Sequence, residues 1–333
     1  IAGIENIQIG DTVSDNENPK PLPRIVIDEP TVSMFFHVNN SPFAGNEGKF
    51  LTSRHIRERL QKEILGNVSL KVKDTDQTDI FEVCGRGELQ MAILIETMRR
   101  EGYEFMVSKP QVITKEEDGK VLEPVENLFL DLNEDHVGVI TEKLAKRKGR
   151  MVNLQNNGHG RVMLDFKIPS RGLIGFRSEF LTDTKGSGIM NTLFDSYAPW
   201  FGEIPQRNNG VIIADRPGKV TPYASLAMAD RGELFVNINT EVYKGMIVGE
   251  RNRTGDLDVN IVREKKLTNV RSSTKDSTVV LRPPQNLSLD QCIEFIAEDE
   301  LLEITPENLR MRKMELDINK RMAKKSKDKK GQA

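Results

Sequence analysis

Apolar positions change period several times along this chain, and the changes mark its elements. From Val32, VSMFFHV is a largely apolar run of strand length, followed by the polar, glycine-containing stretch NNSPFAGNEGKF. In SRHIRERLQKEIL the apolar residues recur at Ile56, Leu60 and Ile64, a helical spacing, with Ser53 placed to cap the start and Gly66 the end. VSLKV and IFEVC then read as strands, ELQMAILIETMRR as a helix and YEFMV as a strand. Strand, helix, strand, strand, helix, strand is the split βαβ unit, with two helices on one face of a four-stranded antiparallel sheet.

The order then repeats. ENLFLDL is a strand, and a helix is predicted from about Asp135 to Lys148, with Val137, Ile140 and Leu144 on one face and Gly149 as its stop. MVNLQ and RVMLDFKI are strands around an Asn157-Gly158 turn, and LIGFRSEFL and IMNTLFDSY supply the second helix and last strand. Phe81, Arg86 and Gly87 find equally spaced counterparts in Phe166, Arg171 and Gly172, so a duplicated fold unit is expected.

Beyond Trp200 the strands VIIAD, ELFVNI and KGMIVG alternate with turns, and a long polar loop is predicted at 252–277. Two late helices follow, one capped by Ser288 and Gln291, the other by Thr305 with Pro306 in its first turn. The tail KRMAKKSKDKKGQA is expected to fray. These patterns predict an α+β fold. Residues 1–24 read as the remnant of a β-barrel hairpin and a linker containing Pro19, Pro21 and Pro23. Tandem ferredoxin-like units follow at 25–112 and 121–200, then a mixed, β-rich C-terminal domain with two late helices at 201–333. The opening at Ile1, inside a strand-like segment, leads us to expect a further N-terminal portion.

Charge changes the picture only through its placement. Lys and Arg number 48 against 50 Asp and Glu, a net of −2, but the signs are segregated. Arg251 to Lys275 holds seven bases against Asp256, Asp258 and Glu264; Pro284 to Glu307 holds acids and no bases; from Arg310 the sign reverses. The second-unit helix ends in Lys143, Lys146, Arg147 and Lys148. Such stretches neutralise phosphates and release counterions, which points to RNA on one side of the molecule. Cys84 and Cys292 lack metal or disulfide spacing, and no apolar run is long enough to span a bilayer, so a cytoplasmic protein without membrane partners is expected.

Catalytic patterns are missing. GNEGKF departs from a phosphate loop, with Phe43 where glycine is needed and Phe50 where a hydroxyl is needed. GRGELQ lacks the third glycine of a dinucleotide fingerprint. His37, His55, His136 and His159 have no metal-ligand spacing. No catalytic, cofactor or metal residue is therefore expected in this chain. An acylphosphatase-like role for Arg86 or Arg171 is weighed and set below turn closure. A tandem ferredoxin-like amino-acid sensor stands as the alternative function.

The stretches PTVSMFFHVNNSPFAGNEGKFLTSRHIRERL, CGRGELQMAILIETMRREGYEF and DHVGVITEKLAKRKG resemble the third and fifth domains of elongation factor G and its relatives. RGELFVNINTEVYKGMIVGE and DELLEITPENLRMRKMEL resemble the C-terminal domain of the BipA/TypA family of bacterial translational GTPases, and the resemblance to that family covers nearly the whole chain. It implies a preceding GTPase domain, so that GTP and Mg belong to the intact protein and not to this chain, in which NKRM at Asn319 lacks the guanine-reading aspartate. It implies a bacterial ribosome as partner, at the factor-binding site, with contacts to large-subunit rRNA and the acceptor end of A-site tRNA, and a role in large-subunit assembly and growth under stress and cold. A monomer is expected. On this resemblance Lys265, Lys266, Asn269 and Arg271 are the expected contacts to rRNA or tRNA, and Arg147 and Lys148 match the basic helix end of the fifth domain. Lys143, Arg251, Arg253, Arg310, Arg312 and Lys313 complete the expected RNA-binding set. His136 departs from the tyrosine common in elongation factor G.

Overall fold

The computed structural model describes residues 9, 12, 14, 15, 17–21, 23, 29–156, 158, 160–204, 207–265 and 281–331, the last seven by backbone course alone. Most of the expected barrel remnant at 1–24 lies outside the described residues.

The first unit runs β1 (Val32–Val38), α1 (Ser53–Gly66), β2 (Lys71–Asp74), β3 (Ile80–Gly85), α2 (Glu88–Arg100), β4 (Phe105–Ser108) and the short β5 (Gln111–Val112), which pairs with β1. The strands lie in the order β4-β1-β3-β2, all antiparallel, with Phe36 opposite both Phe81 and Val107. Ile56 and Leu60 of α1 and Met91, Leu94, Ile95 and Met98 of α2 pack on Met34, Phe36, Phe81, Val83 and Phe105. Thr52, one residue before the expected cap, starts α1 by accepting the His55 amide on its hydroxyl.

The second unit opens with a hairpin of β6 (Lys115–Glu117) and β7 (Lys120–Asn133), whose turn residues Asp118 and Gly119 both have positive φ, as a two-residue hairpin of this hand requires. It continues through a 3-10 turn at Glu134–His136, α3 (Val137–Lys146), β8 (Arg150–Asn156), β9 (Arg161–Pro169), α4 (Ser170–Leu173), α5 (Phe176–Asp183) and β10 (Ile189–Pro199). Its strand order, β10-β7-β9-β8, repeats that of the first unit, and its helices bury Ile140, Leu144, Phe176 and Phe180 on Leu128, Leu130, Leu164 and Phe166.

The C-terminal region comprises β11 (Val211–Ala214), β12 (Gly218–Lys219), α6 (Pro222–Met228), β13 (Gly232–Leu234), β14 (Glu241–Val242), β15 (Ile247–Arg251), β16 (Leu257–Val259), α7 (Leu289–Phe295), β17 (Glu300–Ile304), β18 (Leu309–Lys313) and α8 (Ile318–Gly331). A small sheet has the order β13-β15-β11-β16, and β12 pairs with β14. Ser288 and Gln291 close the expected capping box on α7.

The structure departs from the sequence reading in three places. Thr305 and Pro306 open the β17–β18 turn and not a helix: Thr305 Oγ1 accepts the Asn308 amide at 2.8 Å, and the Thr305 amide donates to Asn308 O at 3.0 Å. A hydroxyl followed by proline suits the first two positions of a turn as well as a helix start, and the fully buried β17 decides between them. The second late helix is α8, helical where fraying is expected, with the Asp317 carboxylate accepting the Asn319 and Lys320 amides at its start. Third, the stretch expected as one loop contains β16, parallel to β11.

β17 does not stay with the C-terminal sheet. It pairs with β4, Leu302 opposite Val107, so the hairpin extends the first unit's sheet to the order β18-β17-β4-β1-β3-β2. Leu302, Ile304, Met311, Ile293 and Ile296 share the first unit's core, while Ile212, Val220, Tyr243, Val248 and Ile261 form a separate one.

Candidate nucleic-acid interface

The glycine-containing loop between β1 and α1 does bind an anion, but the anion is the protein's own. Glu104 is fully buried, and its carboxylate accepts the Gly45 and Gly48 amides at 2.8 and 2.9 Å and the Asn39 side-chain amide at 2.7 Å. A Cβ on Gly48 would stand 2.4 Å from that of Glu104, so only glycine lets the loop close this tightly. With Glu104 seated in it, the loop does not fit a nucleotide phosphate. Among the described residues no cluster of His, Cys, Asp or Glu could hold a metal ion. Cys84 and Cys292 are buried, and burial pushes their thiols up to about 11 and about 12, far from a reactive thiolate.

The expected basic helix end of the second unit is largely committed to its own fold. Arg147 follows the last turn of α3 and donates to Gly172 O at 3.1 Å, Ile174 O at 2.8 Å and the Glu179 carboxylate at 3.0 Å. It braces α3 against the α4–α5 segment. Lys143 pairs with Asp183 at 2.7 Å, and despite partial burial that carboxylate and Glu179 hold its ammonium above its ordinary value. Lys148 is half-buried with φ of 66°, the left-handed residue that ends the helix. Lys146 and Arg150 are exposed, Arg150 lying over the Phe201 ring at 5.4 Å. Arg171 is bound by the buried Glu123 and stacks 3.7 Å from the Trp200 ring, a structural use that leaves it no place in an acyl-phosphate site.

Three of the expected RNA contacts are drawn into the fold. Arg310, Arg312 and Lys313 lie on β18, and burial in the extended sheet turns their charges inward. Lys313 is 2 % exposed and surrounded by Glu300 at 2.8 Å, Asp256 at 2.9 Å and Asp299 at 3.1 Å. Burial alone would depress its ammonium, but Glu300 and its neighbours hold it raised. Arg312 is 3 % exposed and donates to Asn40 Oδ1 at 2.9 Å. Arg310 pairs with Glu47 and with Glu303 and lies over the Phe43 ring. A phosphate could reach Arg310 or Lys313 only by displacing the carboxylates that hold them, and Arg312 is shut in beside Asn40.

Of the expected contacts, the two that are exposed among the described residues, Arg253 and Lys265, belong to the C-terminal region. Arg253 is exposed in the β15–β16 turn, which half-buried Arg251 pins by donating to Thr254 O and Gly255 O. After β16 come Arg263 and Lys265, both exposed. Lys266, Asn269 and Arg271 lie outside the described residues. Sequence reasoning passed over two residues here. Thr221 caps α6 and its hydroxyl donates to Arg263 O, which brings the Arg263 guanidinium 5.7 Å from the exposed Tyr223 ring. The signal was present as Thr221-Pro222, a capped helix start carrying a tyrosine in its first turn. A second exposed group begins α8 at Lys320 and Lys324, where Arg321 anchors the helix through Asp258, Glu315 O and Leu316 O.

Comparison with known proteins bears on this arrangement. The TypA/BipA C-terminal domain profile matches residues 209–318, and that of the elongation factor G C-terminus matches 120–208. The large ribosomal subunit assembly factor BipA of Escherichia coli (strain K12) is 51% identical over 324 residues, 96% of this chain and 53% of the relative. That of Bacillus subtilis (strain 168) is 51% identical over 322 residues, with the same coverage. A putative elongation factor TypA-like protein, SVR3, from the Arabidopsis thaliana chloroplast is 50% identical over 326 residues, 98% of this chain and 47% of the relative. The chain thus spans about half the length of the curated relatives it matches.

Proposed function

The chain belongs to the TypA/BipA family, and from that premise we propose that it is the ribosome-facing portion of a translational GTPase acting in large-subunit assembly and in translation under stress. GTP and Mg are bound, on this reading, by the part of the family's sequence that this chain does not span. Its own residues supply placement on the bacterial ribosome in the cytoplasm, through contacts to large-subunit rRNA and the acceptor end of A-site tRNA. The supporting observation is the sorting of cations: those on β18 are held inside the protein, while Arg253, Arg263 and Lys265 stand in solvent around β16, with Tyr223 beside Arg263. Guanidinium and ammonium groups meet phosphates, and an exposed tyrosine face can stack on an unpaired base. Lys266, Asn269 and Arg271 extend this basic segment in sequence. Arg147 acts here as a brace that positions Lys146, Lys148 and Arg150.

Co-sedimentation with ribosomes across a salt series tests the reading. Lys265→Ala/Lys266→Ala/Arg271→Ala is expected to bind more weakly, with a log–log salt slope shallower by about 0.7–0.9 for each phosphate that the variant no longer neutralises. Unchanged affinity and slope would remove the segment from the interface.

A further inference from the structure

The two ferredoxin-like units meet around a cleft of about 280 Å³, into which the start of α2, the α4–α5 segment and β10 all project. Glu126, on its wall, is 8 % exposed and forms no ion pair among the described residues. Burial pushes its carboxyl up, and the hydroxyls of Ser170 and Thr192 offset this only in part. Ser170 is 2 % exposed, and its Oγ lies beside that carboxyl without completing a hydrogen bond. A buried hydroxyl left without a partner is costly unless something fills the cleft and bonds to it.

The same cleft is lined by charges of both signs, Arg86 and Arg177 beside Glu88 and Glu126. Arg177 lines it, is exposed and has no ion pair among the described residues. The thirteen-residue α2 begins at the cleft behind Gly87, which offers no capping side chain; Glu88 in its first turn accepts the Gly175 amide at 2.7 Å, so no side chain caps the first amides of α2. One cavity with a buried acid and an uncapped, arginine-flanked helix start selects a small molecule bearing both charges.

We propose that this cleft binds a free α-amino acid, its ammonium group on Glu126 and Ser170 and its carboxylate on Arg177 and the first-turn amides of α2. Such a ligand would touch both units at once and so set the angle between them. The site is independent of the RNA-facing segment, and either can fail without the other.

The test is a thermal-shift panel of the twenty L-amino acids on the whole chain, with L-lactate and an amino-acid amide as analogues lacking one charge. A saturable rise in Tm of about 2 °C or more is expected for at least one amino acid, absent for its amide and its hydroxy analogue. Glu126→Gln and Arg177→Gln should each abolish it. Arg177 is exposed, so its variant keeps the test decisive if Glu126→Gln fails to fold. No shift with any amino acid, or a shift that survives in Arg177→Gln, overturns the proposal.

Discussion

At the scale of single residues, one charge can hold a fold together or read a phosphate, and burial decides which. Lys313 is the clearest instance: it answers three carboxylates, of which Glu300 is wholly buried. Lys313→Ala would leave Glu300 to Arg207 and the Ala297 amide alone and is expected to cost about 1–3 kcal/mol in urea unfolding, with no change in the salt slope of ribosome binding. A cost under about 1 kcal/mol would show the cluster to be surface-like. Gly48→Ala is expected to destabilise as well, because its methyl would meet Glu104 in the closed loop; equal unfolding midpoints for variant and parent would contradict that geometry. None of this could be read from the sequence. RMRK on β18 looks as basic as the exposed cations do, and only its register beside buried glutamates distinguishes it.

At the scale of elements, the β17–β18 hairpin is the piece that sequence periodicity misassigned and that ties most of the molecule together. Leu302 lies in the C-terminal region by sequence and in the first unit's core by position. Leu302→Ala should therefore cost about 2–5 kcal/mol. The single tryptophan, Trp200, follows β10 of the second unit, whose hydrophobic cluster is separate. The circular-dichroism transition is expected to move to lower urea while the Trp200 fluorescence transition holds its place. Coincident shifts in both signals would mean that the second unit unfolds with the rest. The repeat itself was legible because both copies bury the same periodic faces. The added hairpin was not, because an unpaired edge such as that of β4 leaves no mark in its own sequence.

At the scale of the whole molecule, the three parts meet at Gly175. The Glu88 carboxylate on α2 accepts the Gly175 amide at 2.7 Å, and Glu294 on α7 fills the space a Cβ there would need. Burial pushes both carboxyls up to about 7. Glu294 and Asp290 add to this at Glu88, and Glu179 adds to it at Glu294, while Arg147, Lys143 and Lys109 oppose it. A pKa raised on folding means that the folded state holds these protons more tightly. Their contribution is full below about pH 4.5 and fades as pH rises through 7. His37 works the other way: burial first, then Arg312, holds it down to about 4, so its contribution is lost as pH falls from about 6.5 toward 4. Stability is therefore expected to decline between about pH 5 and 8. Glu88→Gln/Glu294→Gln should flatten that decline, and a profile as steep as the parent's would dissociate these groups from it.

The sequence by itself determined the two ferredoxin-like units, the capped start of α7 and the family, because periodic burial and local capping are written in neighbouring residues. It also placed a basic segment after β16, since charge composition survives any folding. Only the tertiary structure decided which bases remain available. Arg147 became a brace, Arg310 and Lys313 became buried ion pairs and Arg312 a buried donor to a neutral amide, because their partners Glu179, Glu47, Glu300 and Asn40 reach them through the fold. The inter-unit cleft arises in the same way, from the start of α2 and the second unit's Glu126, which no local pattern connects.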